Sequence, residues 1–228
     1  MRVLALDAAT EACSVALLDG RMLISRVEEF GKGHAERLLG MVDEVLAEAG
    51  LALSALDGIA ASVGPGAFTG VRITVAVAQG LAFGAALPIV PVSTLEALAL
   101  PALEDCERAL CCLDARMGEV YWGCYARDEL RGVRATSAPR VSAPDHVRLA
   151  DLSPHRGIGR GFSAYPVLGK LPGLAVAAAD RLALPSARAI ARLGELRLRA
   201  GEGRDPAELT PLYLRDRVAL TEAERGVK

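Results

Sequence analysis

The first thirty residues contain three strands in succession, and this opening restricts the possible folds of the chain more than any other feature. Short apolar runs cover residues 3–6 and 13–18, and a third strand follows over 21–28. Asp19-Gly20 lies between the last two strands as a two-residue turn of the kind that joins antiparallel neighbours. Three antiparallel strands at the start exclude an opening in which a helix follows the first strand directly.

A helix, a strand, a second helix and a fifth strand come next. Apolar residues recur at helical spacing over 38–49, and Gly50 is expected to end that helix. Thr69 is expected to cap the second helix, which runs to about residue 86. The order strand-strand-strand-helix-strand-helix-strand resembles one half-domain of actin, Hsp70 and hexokinase. The predicted fold class is therefore α/β, with two actin-like (ASKHA, ribonuclease H-like) lobes and a mixed five-stranded sheet flanked by helices in the first.

The second half of the chain repeats the beginning of this pattern more weakly. We predict strands over 109–113 and 118–125, and a helix over 185–199 in which apolar residues lie among arginines. We therefore divide the chain into an N-terminal actin-like lobe, residues 1–102, and a smaller, divergent C-terminal actin-like lobe, residues 103–228.

The distribution of charge argues against a strong nucleic-acid footprint. The net charge is −2; residues 1–102 carry 6 basic and 11 acidic side chains, and residues 103–228 carry 20 basic and 17 acidic ones. Tight nucleic-acid binding usually needs a clustered basic face. Scattered surface arginines are therefore the favoured interpretation, and a local arginine patch in the second half is the alternative.

The cysteines indicate reduced thiols and a cytoplasmic protein. Their number, five, is odd, and no pair has Cys-x-x-Cys spacing. The chain reaches Asp7 too early for a secretion signal. Arg, Gln or Pro interrupts every apolar stretch that approaches the roughly 20 residues of a membrane helix, so we expect no membrane span.

Residues 64–72, Gly-Pro-Gly-Ala-Phe-Thr-Gly-Val-Arg, form the most informative segment of the chain. The glycines permit positive φ, and free N–H groups at the following helix start would form a seat for an anion. Arg72, one turn into that helix, could pair with a phosphate or a carboxylate. The alternative is that the glycines only allow a helix and a strand to pack closely.

Polar residues at two strand ends suggest a nucleotide site. Actin-like ATPases use acids at such places to orient metal and phosphate, and small or hydroxyl residues to cup the phosphate. We predict a vestigial nucleotide or phosphate site at Asp7, Thr10, Gly64, Gly66 and Asp114. The residues after Asp114 lack the expected Gly/Thr-rich cup, so polar strand ends without a ligand are the alternative. ATP or ADP would bind weakly there, and no cofactor is required.

The helix over 70–86 is apolar on all sides, with only Arg72, Thr74 and Gln79 as polar interruptions. Such a helix must be covered on two faces, because each exposed Val, Leu or Phe forgoes roughly 1.5–3 kcal/mol. A second polypeptide is the simplest cover, and the second half of the same chain is the alternative. The predicted interface consists of small and apolar residues of the first two helices: Leu38, Val42, Val45, Ala76, Val77, Gly80, Leu81 and Gly84.

Familiar catalytic and metal-binding motifs do not occur in the sequence. The histidines, His34, His146 and His155, do not share the spacing of a metal-binding pair. Neither a Gly-x-x-x-x-Gly-Lys-Ser/Thr loop nor a Gly-x-Ser-x-Gly motif is found. We therefore predict no catalytic residue and no metal site, and we interpret His34 as a helix-start residue.

The segment 64–72 resembles the hallmark of the TsaB (YeaZ) family, Gly-Pro-Gly-Ser-Phe-Thr-Gly-Leu-Arg. Four further segments agree in order: Leu-Ala-Leu-Asp-Ala-Ala-Thr at 4–10, His-Ala-Glu-Arg-Leu-Leu at 34–39, Leu-Asp-Ala-Arg-Met-Gly-Glu-Val-Tyr-Trp at 113–122 and Pro-Leu-Tyr-Leu-Arg at 211–215. Together they extend over nearly the whole chain, while residues 127–180 contribute little.

This resemblance implies a fold, a function and a set of partners. TsaB-like proteins have the actin-like fold and are paralogues of TsaD, the catalytic subunit, which holds a metal through a His-x-x-x-His element that is missing here. The resemblance implies a non-catalytic subunit that supports TsaD in transferring threonylcarbamoyl from its adenylate to the tRNA adenosine beside the anticodon. It further implies a heterodimer with TsaD, a homodimer through the same first-lobe helices, contact with the ATPase TsaE, and tRNA binding through the complex.

Two other functions stay open on the same fold. One is an ATP-binding phosphotransferase that uses Asp7, Thr10 and Asp114. The other is a peptidase acting on TsaD, which would need a nucleophile with a base, or a metal.

Overall fold

The first half of the chain forms a mixed five-stranded sheet in the computed structural model, which describes residues 1–29, 34–149, 151 and 153–215. Its strands are β1 (Arg2–Asp7), β2 (Ala12–Asp19), β3 (Met22–Glu29), β4 (Gly58–Ser62) and β5 (Ile89–Val92). The order in the sheet is β3-β2-β1-β4-β5. The first three strands are antiparallel, and β4 and β5 run parallel to β1. The predicted mixed five-stranded sheet is therefore confirmed.

The second half forms a six-stranded mixed sheet. Its strands are β6 (Arg108–Asp114), β7 (Val120–Asp128), β8 (Gly132–Ala135), β9 (Arg140–Ser142), β10 (His155–Ile158) and β11 (Leu174–Ala175). The order is β11-β10-β6-β7-β8, and β9 pairs with β7. The predicted α/β class with two sheet-containing lobes is confirmed, although the short strands β9 and β11 left no pattern that sequence analysis detected.

The described residues form five α-helices beside the sheets: α1 (His34–Ala49), α2 (Phe68–Ala85), α3 (Thr94–Ala102), α4 (Gly161–Ala164) and α5 (Ala187–Arg199). Gly50, at φ +65°, follows the end of α1 as predicted. The predicted cap of α2 is wrong, because Ala67 takes the N-cap position and Thr69 lies inside the helix. Sequence analysis also missed α3, whose start is marked by the Glu96 carboxylate accepting a hydrogen bond from the Ser93 N–H at 3.0 Å.

Sheet and helices pack in layers because successive strand side chains point to opposite faces. Leu4 and Leu6 of β1 face α1 and α2, whereas Val3 and Ala5 face α3 and α5. The core around α3 and α5 continues into β6, so these two helices lie between the sheets. Helix α5 approaches β4 so closely that a Cβ on Gly194 would lie 2.4 Å from the Ala60 Cβ atom.

The chain therefore returns to the first sheet after building the second. The division at residue 102 stays a prediction, since α5 belongs to the second half in sequence but packs against β1 and β2 of the first. By length and composition alone, the 18-residue α2 is apolar enough to cross a membrane. In this fold its residues Val71, Val75, Ala78 and Ala82 are buried.

Candidate functional site

A cleft of about 280 Å³ lies between the two lobes. Its walls come from the β1–β2 turn, from the glycine-rich loop before α2, and from the end of β6 with the turn that follows. Residues 212–215 close the remaining side. The lining combines apolar side chains such as Val71 and Leu113 with the charged residues Glu11, Arg160 and Arg215.

The structure brings only part of the predicted nucleotide site into this cleft. Thr10, Gly66 and Asp114 line it. Asp7 is fully buried beneath it. Gly64 is buried as well, and a Cβ there would lie 3.0 Å from the Leu212 carbonyl oxygen. The role of these residues in binding a nucleotide stays a prediction.

The glycine-rich loop packs directly on the β1–β2 turn. A Cβ on Gly66 would lie 2.1 Å from the Ala9 carbonyl oxygen, and a Cβ on Gly70 would lie 1.9 Å from that of Ala8. Real Cβ atoms do not approach other atoms so closely. Glycine is therefore required at both positions for close backbone approach, which is the second of the two explanations for this segment.

Three backbone donors of the β1–β2 turn and the glycine-rich loop are already engaged. The Ala8 N–H donates to the Thr74 hydroxyl at 2.9 Å, and the Ala9 N–H donates to the Asp7 carboxylate at 3.1 Å. The Ala67 N–H donates to the Ala9 carbonyl oxygen at 2.7 Å. A phosphate in this part of the cleft would have to displace internal hydrogen bonds, so its binding would be weakened.

Asp7 lies in surroundings that favour its neutral form. Burial raises the pKa of this carboxyl above its usual value of 3.8, while hydrogen bonds from the Ser62 hydroxyl and the Ala9 N–H oppose the shift. Oδ2 has no hydrogen-bond partner within the described residues. An enclosed carboxyl whose burial opposes ionisation is a poor ligand for a metal–phosphate, because hard cations select ionised oxygen donors that they can reach.

The basic residues of the cleft are paired with acids. Arg116 contacts Asp114 at 3.0 Å and Glu11 at 3.3 Å. Arg160 contacts Glu29 at 2.9 Å, linking the second lobe to the β3 edge of the first. An anionic ligand would therefore compete with existing ion pairs.

Residues 209–215 connect both lobes across the mouth of the cleft. Leu209 is buried in the core of the first lobe, and the Leu212 N–H donates to the Val63 carbonyl oxygen at 2.7 Å. Arg215 reaches the second lobe, where it donates to the Ala115 carbonyl oxygen at 3.0 Å and pairs with Glu119. Sequence analysis gave this segment no structural role; its only signal was the motif at 211–215.

The outward face of α2 stays accessible in this structure. Ala76, Gly80 and Gly84 are exposed, and Cβ atoms on the two glycines would meet nothing within 4 Å. Val77 and Leu81 are half-buried against the core under α1 and α2. Their contact with a partner stays a prediction.

Part of the predicted interface is wrong. Leu38, Val42 and Val45 of α1 are at most 1% exposed, because the apolar stripe of α1 packs on the first sheet inside its own subunit. The outer surface of α1 carries Leu39 instead, at 45% exposure, together with Asp43. Helical periodicity identifies which face of a helix is apolar, but not whether its own sheet or another chain covers it.

Within the part of the chain that the structure describes, the second half covers one edge of α2. The Gln79 side-chain amide donates to the carbonyl oxygens of Pro206 and Leu209, at 2.9 and 3.2 Å. Phe83, near the far end of the helix, stays 57% exposed. The described residues 103–149, 151 and 153–215 therefore do not cover this face of α2, which was the alternative to a second polypeptide.

The described residues offer few reactive groups. Over residues 1–29, 34–149, 151 and 153–215, no group of three His, Cys, Asp or Glu side chains is placed to hold a metal ion. Burial raises the pKa of the Cys13 thiol to about 12, and burial also raises the pKa of Cys111 and Cys112. Thiols of this kind are poor nucleophiles near neutral pH.

The fold and the site define a class of protein: two lobes, consistent with actin-like lobes, around a cleft in which the N–H groups of Ala8, Ala9 and Ala67 are bonded internally. Comparison with known proteins narrows this class. The sequence model of the family described as "TsaD: tRNA N6-adenosine threonylcarbamoyltransferase" matches residues 27–148. The chain belongs to the TsaB family, as the five motifs predicted, and this membership supports a role in tRNA threonylcarbamoyladenosine biosynthesis.

Relatives and solved structures agree over nearly the whole chain. The tRNA threonylcarbamoyladenosine biosynthesis protein TsaB of Escherichia coli K12 is 40% identical over 224 residues, which is 96% of each chain. The protein of the same name from Haemophilus influenzae is 36% identical and covers 96% of this chain and 95% of its own. The structure of YeaZ from Pseudomonas aeruginosa has a TM-score of 0.85 at 41% identity, over 93% of this chain and 99% of that one.

Proposed function

We propose that this chain is the non-catalytic subunit of a complex with TsaD and TsaE that forms N6-threonylcarbamoyladenosine in tRNAs reading codons that begin with adenine. Acting in the cytoplasm, it supports TsaD in transferring threonylcarbamoyl from threonylcarbamoyl-adenylate to the adenosine beside the anticodon. Family membership supports the pathway, and the match of residues 27–148 to a TsaD-type sequence model supports a paralogous partner of similar shape.

The accessible face of α2 is the observation that carries this proposal. Ala76, Gly80 and Gly84 form a row at four-residue spacing that lets another helix approach closely, and Phe83 lies beside it. Covering this face removes apolar surface from water at roughly 25 cal/mol per Å². TsaD covers it in the active complex, and a second copy of this chain covers it in a homodimer, so the two partners compete.

The hydrogen bonds and ion pairs within the cleft favour a supporting role for this chain over catalysis by the chain itself. The Ala8 and Ala9 N–H groups are bonded internally, Asp7 is enclosed, and the arginines that line the cleft are paired with acids. No cofactor is required under this proposal, and ATP or ADP binds weakly at most. TsaE and tRNA then meet the assembled complex, with tRNA held through the combined surface of the subunits.

Reconstitution tests the proposal. Purified TsaD, TsaE, tRNA, ATP and the threonylcarbamoyl donor system are assayed with and without this chain, by mass spectrometry of the modified nucleoside. We expect modification only with the chain present, and the same rate from the Asp7→Asn variant. Full modification by TsaD and TsaE alone would overturn the proposal.

The two alternative functions have their own measurements. Submicromolar binding of ATP with magnesium in isothermal titration, with turnover lost in Asp7→Ala, would favour a phosphotransferase. Shortening of TsaD, seen in its intact mass after incubation with this chain, would favour a peptidase; one Pseudomonas aeruginosa relative is described as having similarity to the peptidase YEAZ.

A further inference from the structure

Three side chains form an exposed cluster at the amino-terminal end of α2. The Arg72 guanidinium lies 3.6 Å from the centre of the Phe68 ring and 5.7 Å from that of Tyr213. Arg72 Nε also donates a hydrogen bond to the Tyr213 hydroxyl at 2.8 Å. Phe68 and Tyr213 are 44% and 49% exposed, so the cluster faces solvent. Arg and Tyr are among the residue types that dominate binding energy at protein interfaces, and Phe is enriched there.

Among the residues that the structure describes, Arg72 differs from the arginines of the neighbouring cleft because no acidic side chain pairs with it. Arg116, Arg160 and Arg215 each pair with a carboxylate. Within the described part of the chain, Arg72 forms no ion pair, and its one hydrogen bond uses Nε. The two Nη groups therefore have donors to spare. A planar guanidinium with free Nη donors matches a carboxylate in two parallel hydrogen bonds.

The cluster holds this guanidinium in place before any partner arrives. A ring on one side and a hydroxyl on the other restrict the rotation of an arginine side chain that would otherwise be ordered only on binding. Tyr213 supplies the hydroxyl from the segment that bridges the two lobes. The same segment therefore shapes the cleft and fixes Arg72.

The position of Arg72 connects the cluster with the proposed docking face. Arg72 precedes Ala76 by four residues, and Ala76 is followed by Gly80 and Gly84 at the same spacing, so all four share one row of the helix. A partner helix lying on the small residues would extend to the guanidinium. Phosphate is the less suitable ligand, since the first half of the chain has a net charge of −5 and offers no clustered basic face.

We propose that Arg72, held by Phe68 and Tyr213, is the polar anchor of the partner interface and receives a carboxylate side chain of a TsaD-type partner. This inference rests on the proposed function, because it places the anchor on the face proposed for TsaD. The carboxylate pairs with the two Nη groups, while the apolar row of α2 supplies the surrounding contact.

Titration calorimetry with purified TsaD tests the anchor. The variant Arg72→Lys keeps the charge but loses the paired donors, and Tyr213→Phe removes only the hydroxyl. We expect Arg72→Lys to weaken binding by about tenfold or more while leaving its salt dependence similar, because the charge is kept and only the paired donors are lost, and we expect Tyr213→Phe to weaken binding less. Arg134→Lys, at an exposed position of β8 in the second lobe, is the matched control and should bind as the wild type does.

The variant Val77→Glu separates this inference from the proposed function. Loss of binding in Val77→Glu together with wild-type affinity in Arg72→Lys would overturn the anchor and leave the docking face intact. Unchanged affinity in both variants, or no binding of TsaD by the wild type, would overturn the docking face itself. Unchanged TsaD affinity in Arg72→Lys combined with weaker tRNA binding by the complex would assign Arg72 to nucleic acid and overturn the proposal.

Discussion

Replacing Gly70 by alanine should destabilise the protein, whereas the same change at Gly80 of the same helix should stabilise it. Both glycines lie within α2, where alanine is normally the better helix former. A Cβ on Gly70 would lie 1.9 Å from the Ala8 carbonyl oxygen, whereas a Cβ on Gly80 would meet nothing within 4 Å. The pair isolates close backbone approach from helix propensity.

The magnitudes follow from these contacts. The obstacle at Gly70 is a backbone oxygen, and the Ala8 N–H bond to Thr74 Oγ1 holds that turn against α2. Overpacking costs about 1–3 kcal/mol, and this clash belongs at the upper end of about 3 kcal/mol. The higher helix propensity of alanine than of glycine stabilises the variant by about 1 kcal/mol. The net loss for Gly70→Ala is therefore about 2 kcal/mol, and Gly80→Ala gains about 1 kcal/mol.

Urea and thermal denaturation measure both changes. For a chain of this length, about 1 kcal/mol moves Tm by roughly 2–4 °C, so Gly70→Ala should lower Tm by roughly 4–8 °C and Gly80→Ala should raise it by roughly 2–4 °C. The chain must be kept dilute enough to be a monomer, because partner binding adds stability by mass action. Wild-type or higher stability of Gly70→Ala would refute the explanation of the glycine-rich segment by close packing.

Three further changes test other parts of the structure. The Asp7→Asn variant should gain stability relative to the wild type as pH rises above about 4. The raised pKa of Asp7 contributes to the free energy of unfolding of the wild type at low pH, and this contribution is lost as the carboxyl ionises. Equal pH slopes of the two proteins in urea denaturation between pH 4 and 8 would contradict this. Arg215→Ala should lower the free energy of unfolding by about 1–2 kcal/mol and speed hydrogen exchange at the Leu212 N–H. Arg199→Ala, at an exposed position, is the control. Unchanged exchange at Leu212 would show that Arg215 does not hold residues 209–215 in place. Val77→Glu should yield monomers by light scattering if wild type forms a homodimer, and persistence of the dimer would place its interface elsewhere.

The order of the main elements could be predicted because it rests on local signals. The three opening strands, the glycine that ends α1, and the helical apolar spacing of α1 and α5 each depend on a few neighbouring residues. Helix α3 was missed because it has only nine residues and contains Pro101. Its start signal, Ser93 with Glu96 three residues later, is short and easily lost between a strand and a linker.

The candidate site was harder to predict because its parts are distant in sequence. A glycine-rich turn looks the same in sequence whether it cups a phosphate or lets two backbones touch, and the close approach of Gly66 and Gly70 to the β1–β2 turn is visible only in the structure. Whether Leu38 is buried in its own subunit or at an interface depends on which surface covers α1, and helical periodicity does not identify that surface. Arg72 was identified as a cation for an anionic ligand, but Tyr213, which holds it, lies 141 residues further on.

The bridging segment, residues 209–215, has a consequence for how the molecule is made. Both sheets and α5 leave the ribosome before Leu209. A nascent chain can therefore form the two lobes before the segment that crosses the mouth of the cleft has been made. Until residues 209–212 have been added, the site of Leu209 in the core is unfilled and the Val63 carbonyl oxygen lacks the Leu212 N–H. A polypeptide released early would display these features, which would mark it for chaperones and proteases before it could join an assembly.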